Sequence, residues 1–118
     1  MDDDQPLREA LGSVLQAAGF LTNTYASAEE FFDAPGRNDT ACLVLDVRLP
    51  GMSGIELQKR LDDAGSRVPV IFVTAHGDAS VRELVMRAGA AGFLNKPVRS
   101  EVLLKAIYAA LQKAEADT

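Results

Sequence analysis

The sequence predicts an α/β domain whose parallel sheet is covered by helices on both faces. Two uninterrupted apolar runs carry that prediction, CLVL over Cys42–Leu45 and VPVIFVT over Val68–Thr74. A strand that does not alternate apolar with polar is buried on both sides, which is the signature of a parallel sheet. The third observation is alternation: segments of helical period lie between the strand-like runs, as crossover-connected parallel strands require.

The elements follow in order. Leu7, Leu11, Val14, Leu15 and Ala18 recur at helical spacing, and Gly19 supplies a stop. LTNTY, Leu21 to Tyr25, reads as a short polar edge strand. Ser27 and Glu30 stand at capping-box spacing, where hydroxyl and carboxylate each satisfy an otherwise unpaired backbone N–H; Pro35-Gly36 closes the short helix that follows. After the CLVL run, Ile55, Leu57 and Leu61 give a weaker helix ending near Gly65. Beyond VPVIFVT, the residues Val81, Leu84, Val85 and Ala88 form one apolar stripe, with Gly89 as its cap. GFLN, Gly92 to Asn95, is a third buried strand, and Leu103, Leu104, Ile107, Tyr108 and Leu111 form the apolar side of a last helix. The domain is placed at residues 1–113, with 114–118 a polar tail or the start of a linker.

Composition narrows the function classes. The chain has 118 residues, 47% of them hydrophobic and 25% charged, so it suits one globular domain rather than a disordered chain. A net charge of −5 argues against an electrostatically driven nucleic-acid or membrane surface. Cys42 is the one cysteine, which excludes an internal disulfide and fits a buried thiol in a reducing cytoplasm. No apolar stretch approaches the roughly 20 residues that span a bilayer, and the N-terminus lacks the layout of a signal peptide.

In open parallel sheets, ligands bind beyond the carboxyl ends of the strands. Asp46 ends CLVLD, Thr74 ends VIFVT, and Lys96 closely follows GFLN, so a carboxylate, a hydroxyl and an ammonium are expected to converge on one edge. Taken singly, each has a plainer reading: Asp46 as a turn residue before Leu49-Pro50-Gly51, Thr74 as a cap, Lys96 as a surface lysine. The run Asp2-Asp3-Asp4 reads by itself as a solvated acidic terminus, with Asp4 complementing the dipole of the helix that begins around Pro6.

The segments CLVLDVRLPGMSG, VIFVTAHGD and AAGFLNKP, in this order and at this spacing, resemble the core of a two-component response-regulator receiver domain, most closely the FixJ-like branch; the match runs from Asp2 to about Leu111. The resemblance implies a flavodoxin-like (βα)5 doubly wound sheet of strand order 2-1-3-4-5. It implies that Asp46 accepts a phosphoryl group from a sensor histidine kinase, and that Asp2, Asp3, Asp46 and the backbone carbonyl of Arg48 hold Mg²⁺ or Mn²⁺. Lys96 would pair with the phosphoryl group, Thr74 and Phe93 would form the switch, and Arg48 and His76 would tune hydrolysis. Phe93 reads equally well as plain core, and His76, the lone histidine, as a loop residue. By the same resemblance Lys96-Pro97 is a cis peptide bond. The resemblance implies self-phosphorylation with slow autodephosphorylation rather than conventional turnover. The output surface would be the helix from Asp78 to Gly89, the strand Gly92 to Asn95 and the last helix, often a homodimer contact, with transcription regulation as the usual output.

One departure stands out. Receiver domains carry an apolar strand directly before the acidic pair, and here only Met1 precedes it. That strand lies between the second and third, so its absence leaves backbone groups of both neighbours to be paired some other way. Three accounts follow: the chain starts beyond the strand, two chains exchange segments to fill the gap, or the second and third strands close up directly and displace Asp2 and Asp3. The rival functions are a pseudo-receiver, the same fold acting through protein contacts without phosphorylation, and a mononucleotide binder of flavodoxin-like topology. Against the last, neither a Gly-rich phosphate loop nor a GxGxxG is present.

Overall fold

The structure is a computed structural model that describes residues 1, 4–34, 39–48, 51–75 and 79–116. The elements in chain order are α1 (Gln5–Ala17), α2 (Ala28–Asp33), β1 (Leu43–Asp46), α3 (Gly54–Asp63), β2 (Val70–Thr74), α4 (Ala79–Arg87), β3 (Gly92–Asn95) and α5 (Ser100–Ala116). The three strands form one parallel sheet in the order β1-β2-β3. Among the described residues no helix is long and apolar enough to cross a membrane.

Local chemistry explains most boundaries. Asp4 does more than complement a dipole: it is the N-cap of α1, its Oδ1 accepting the Leu7 N–H at 3.2 Å, with Pro6 in the first turn where a missing N–H costs nothing. Gly19 ends the helix at φ +94, a left-handed conformation that closes the turn and lets the Phe20 N–H reach the Leu15 carbonyl at 3.1 Å. Ser27 caps α2 through the Glu30 N–H, and the Glu30 carboxylate returns to the N–H of Ala26, one residue before the cap. The short helix is over by Asp33; the Pro35-Gly36 stop predicted for it lies outside the described residues.

β1 and β2 are buried on both faces, as continuous apolar strands require, whereas β3, predicted as a third buried strand, is only half-buried with Asn95 exposed, because it is an edge strand with β2 as its one described neighbour. On one face Leu43, Leu45, Val70 and Phe72 pack against Ala28 and Phe31 of α2, Leu57 and Leu61 of α3 and Val85 of α4. On the other, Ile71 packs against Leu103, Ile107 and Ala110 of α5, joined by Val44, by Leu94 and by Leu11 and Leu15 of α1. The stripe expected on α4 is narrower than predicted: Val85 is fully buried while Leu84 is 54% exposed. α5 runs on through Ala116, so the region from 114 where a tail was expected is still helical.

One expectation about the sheet is corrected. Residues 21–25, predicted as a strand, form none, and Leu21 is fully exposed. A strand is stable only with a partner to take its hydrogen bonds, and no described strand lies beside this segment. Among the described residues the sheet β1-β2-β3 is the last three strands of the flavodoxin-like order 2-1-3-4-5, in keeping with the expected α/β fold with its first strand truncated or absent. The flanking segments do not close up. An open cleft of about 610 Å³ separates residues 21–25 from β1, and Met1 fills one position of it. The amino group of Met1 donates to the Val44 carbonyl, and its carbonyl accepts the Asp46 N–H at 2.9 Å. Those two bonds are the pattern of one residue of a parallel strand set opposite Leu45.

The α3 N-terminus comes close to the end of β1. A Cβ added at Gly54 would stand 2.5 Å from the Asp46 carbonyl oxygen and 2.9 Å from Leu45 Cδ1 and Phe72 Cε1. Gly54→Ala is therefore expected to destabilise the fold by about 1–3 kcal/mol, as overpacking does, read from urea denaturation.

Cys42, at the cleft wall, has its thiol pushed by burial from 9.0 up to about 11. Its rate of reaction with a small disulfide reagent should keep rising about tenfold per pH unit past pH 9, where an exposed thiol levels off. Because the folded value is the higher one, folding stability should fall as pH rises from about 9 through about 11.

Candidate functional site

The parallel register decides what meets at the carboxyl edge of the sheet. Asp46 lies opposite Val73, and Thr74 lies opposite Asn95, so the residues that leave β1, β2 and β3 emerge side by side. The Lys96 N–H continues the ladder, donating to the Thr74 carbonyl at 2.9 Å, which ties the end of β3 to the end of β2. The Lys96–Pro97 bond is cis, as expected.

Lys96 Nζ reaches across β2 to Asp46 and donates to Oδ2 at 2.7 Å, joining residues 50 apart in sequence. The other oxygen, Oδ1, accepts the Arg48 N–H at 2.9 Å. The carboxylate is thus held at both oxygens, one by a charge and one by the backbone, and its plane is set before any ligand arrives. The pair is largely withdrawn from water, with 17% of the lysine side chain and 10% of the aspartate exposed. A charge-assisted bond in such surroundings is stronger than one at the surface. Thr74 is buried beside this pair at the end of β2. Phe93 is half-buried and packs against the cluster that contains Phe72 and Val85, which is core packing on the adjacent strand.

The structure therefore brings together Asp46, Thr74 and Lys96, three of the residues that the sequence singles out. Arg48 enters through its N–H, a contact the sequence reading did not assign. Asp2, Asp3 and His76 lie outside the described residues. Met1, the residue before the acidic pair, is anchored through its carbonyl to the N–H of Asp46 itself. Two further features of the site went unread in the sequence: the Met1 anchor and the close approach of Gly54, whose N–H donates to the Val47 carbonyl at 3.0 Å. The second had a signal, the glycine that follows Ser53. Ser53 caps α3, its Oγ accepting the Glu56 N–H.

Among the described residues no group of three or more histidine, cysteine, aspartate or glutamate side chains gathers as a metal cage. The donors at hand, a carboxylate at Asp46 and the backbone oxygens of the loop after it, are hard oxygens, which suit a magnesium-like cation and not a soft one.

Comparison with known proteins places this edge in a family. Residues 1–108 match the family described as the response regulator receiver domain, and the chain belongs to that family. The response regulator protein TodT of Pseudomonas putida is 41% identical over 114 residues, covering 97% of this chain and 50% of TodT. The transcriptional regulatory protein FixJ of Azorhizobium caulinodans is 40% identical over 114 residues, covering 97% of this chain and 54% of FixJ. Among solved structures, FixJ-N superposes with a TM-score of 0.82 at 37% identity, covering 95% of this chain and 90% of that one. The response regulator StyR superposes with a TM-score of 0.88 at 44% identity, covering 99% of this chain and 60% of StyR. The chain spans about half the length of the curated relatives it matches. This is a receiver domain of the two-component signalling type, and its three-stranded parallel sheet with helices on both faces is the corresponding part of that fold.

Because Lys96 and Asp46 share a short bond of 2.7 Å in a partly buried site, removing either should take that charge partner from the other. A double-mutant cycle with Lys96→Met and Asp46→Asn, read by thermal and urea denaturation, should give a coupling energy of about 1–3 kcal/mol. Independent, additive losses would show that the pair contributes nothing to stability.

Proposed function

We propose that this domain accepts a phosphoryl group on Asp46 from the phosphohistidine of a sensor histidine kinase and changes its surface in response. The observation that carries the reading is the carboxylate of Asp46 held between the Lys96 ammonium and the Arg48 N–H at the carboxyl edge of the sheet, with Thr74 alongside. In the transfer, a carboxylate oxygen of Asp46 forms a bond to phosphorus while the phosphorus–nitrogen bond of the donor breaks, its electron pair leaving with the imidazole. The product is an acyl phosphate.

The difficulty of that step is electrostatic, since an anion approaches an anionic phosphoryl group. Positioning and charge stabilisation are what a protein supplies to phosphoryl transfer. The Arg48 N–H orients the nucleophile. Lys96, on a flexible stem, is placed to move from Asp46 Oδ2 to a phosphoryl oxygen as charge relocates. Asp46 and the Arg48 carbonyl, with Asp2 and Asp3 by resemblance, would hold Mg²⁺ or Mn²⁺, which when bound offsets negative charge between nucleophile and phosphoryl oxygens. The Thr74 hydroxyl then has a new acceptor in the phosphoryl oxygens, and Phe93 on the neighbouring strand is the aromatic placed to respond. Arg48 and His76 are assigned to tuning hydrolysis by resemblance alone.

The response would be read on α4, β3 and α5. Exposed apolar side chains there, Leu84 and Met86 on α4 with Val102 and Tyr108 on α5, support a homodimer or partner contact on this face. Control of transcription in the cytoplasm is the output proposed from the relatives, which include transcriptional regulatory proteins.

Incubation with Mg²⁺ and acetyl phosphate, followed by intact-mass measurement, should add one phosphoryl group to the chain and none to Asp46→Asn. Lys96→Met should slow the addition by about 10²-fold or more, the usual effect of losing one charge-stabilising donor. No addition to a chain that is folded by circular dichroism would reject the reading in favour of a pseudo-receiver.

A further inference from the structure

Gln58 is a buried polar side chain that takes no part in the site described above. It lies on α3 and is 4% exposed, and its Oε1 has no hydrogen-bond partner among the described residues. The other buried residues of α3 are Gly54, Leu57 and Leu61, none of which carries a polar side chain. Buried polar atoms are normally paired, and a carbonyl left unmet costs the desolvation of the group with nothing in return.

The Gln58 amide faces the end of α4. A Cβ added at Gly89, the glycine that closes that helix at φ +98, would stand 3.7 Å from Gln58 Nε2. The backbone donors of this turn are already spent. The Ala88 N–H goes to the Leu84 carbonyl, that of Gly89 to Met86 and that of Ala90 to Val85, each at 3.1 Å. A small adjustment of the turn therefore brings Oε1 no donor; water reaching the seam does.

The helix opposite Gln58 has a light hold on the core. Val85 is the one buried residue between Ala79 and Arg87, with Leu84 54% and Met86 43% exposed on either side of it. α5, by contrast, buries Leu103, Ile107 and Ala110. Directly after the Gly89 turn the chain is fixed again, the Ala91 N–H donating to the Val70 carbonyl of β2 at 2.8 Å. α4 can thus lift about Gly89 while β3 keeps its place in the sheet.

We propose that Gln58 is a release point in the α3–α4 seam: its carbonyl is unmet while α4 lies packed and gains water when α4 lifts about Gly89, so this one amide lowers the cost of opening the seam. A group better solvated in the open state shifts the equilibrium toward it, and elements of low local stability open without the rest of the fold. An apolar side chain of the same length would hold the seam shut. The inference concerns the seam alone and is independent of whether Asp46 is phosphorylated.

Native-state hydrogen exchange, followed by NMR on the 118-residue chain, tests it. The amides of Ala88, Gly89 and Ala90 should exchange through an opening about tenfold or more frequent than the unfolding that exposes the amides of Phe72 and Ile107. Gln58→Met keeps the length of the side chain and removes the carbonyl. It should slow exchange at those three amides by about tenfold or more and leave Ala18 and Gly19, at the end of α1, unchanged. Gln58→Leu, a second apolar replacement, should act in the same direction. Protection of the three amides equal to that of Phe72 and Ile107 in the unsubstituted chain would overturn the proposal, since α4 would then open only with the whole fold. A raised urea midpoint in both variants with α4 exchange unchanged would overturn it as well, because the opening would leave Gln58 buried. No change in either quantity would mean that a bound water already meets Oε1, and would equally overturn it. Faster exchange at the three amides in both variants would show that the amide holds the seam together instead.

Discussion

Everything at the carboxyl edge depends on three strands running parallel in one register. The Asp46–Lys96 bond joins residues 50 apart, and no local preference brings them together. They meet because Leu43–Asp46 pairs with Val70–Val73, and Ile71–Thr74 with Gly92–Asn95, so the three strand ends fall on one line. A slip of one residue in either pairing would turn every buried side chain to the opposite face. The core therefore enforces the register, and the register places the charges. Phe72 and Ile71, both fully buried on opposite faces of β2, hold the site in place without touching the chemistry.

The same register explains why the loops after the strands can be short and strict. Gly54 enters α3 against the Asp46 carbonyl because no side chain fits there, and Ser53 caps the helix that begins at that point. The helix start is thereby locked to the strand end, and the Arg48 N–H between them is held to Asp46 Oδ1. Packing, capping and the orientation of one carboxylate are consequences of a single close contact.

The amino-terminal side of the sheet shows the opposite regime. Residues 21–25 carry threonines and an aromatic suited to a strand, but strand propensity is mostly a statement about neighbours. Among the described residues no strand lies beside this segment, and its hydrophobic lead residue Leu21 stands in solvent. An open cleft lies between this segment and β1. Its wall holds Cys42, whose raised pKa follows from the same apolar surroundings.

By itself the sequence determined the α/β class, the three strands of the described sheet, the helix between each pair and the identity of the residues at the strand ends. Those follow from period and punctuation: contiguous β-branched runs, helical stripes, and Ser27 and Gly19 as cap and stop. It also made the family legible, since three short motifs in order at compatible spacing are improbable by chance. Only the tertiary structure decided that Lys96 bonds Asp46 Oδ2 while the Arg48 N–H bonds Oδ1, that Leu84 is exposed and Val85 buried, and that residues 21–25 form no strand. These are outcomes of pairing between distant segments, where a hydrogen bond or a buried face exists only if its partner is present. A one-dimensional pattern records what each segment offers; the fold determines what each offer meets.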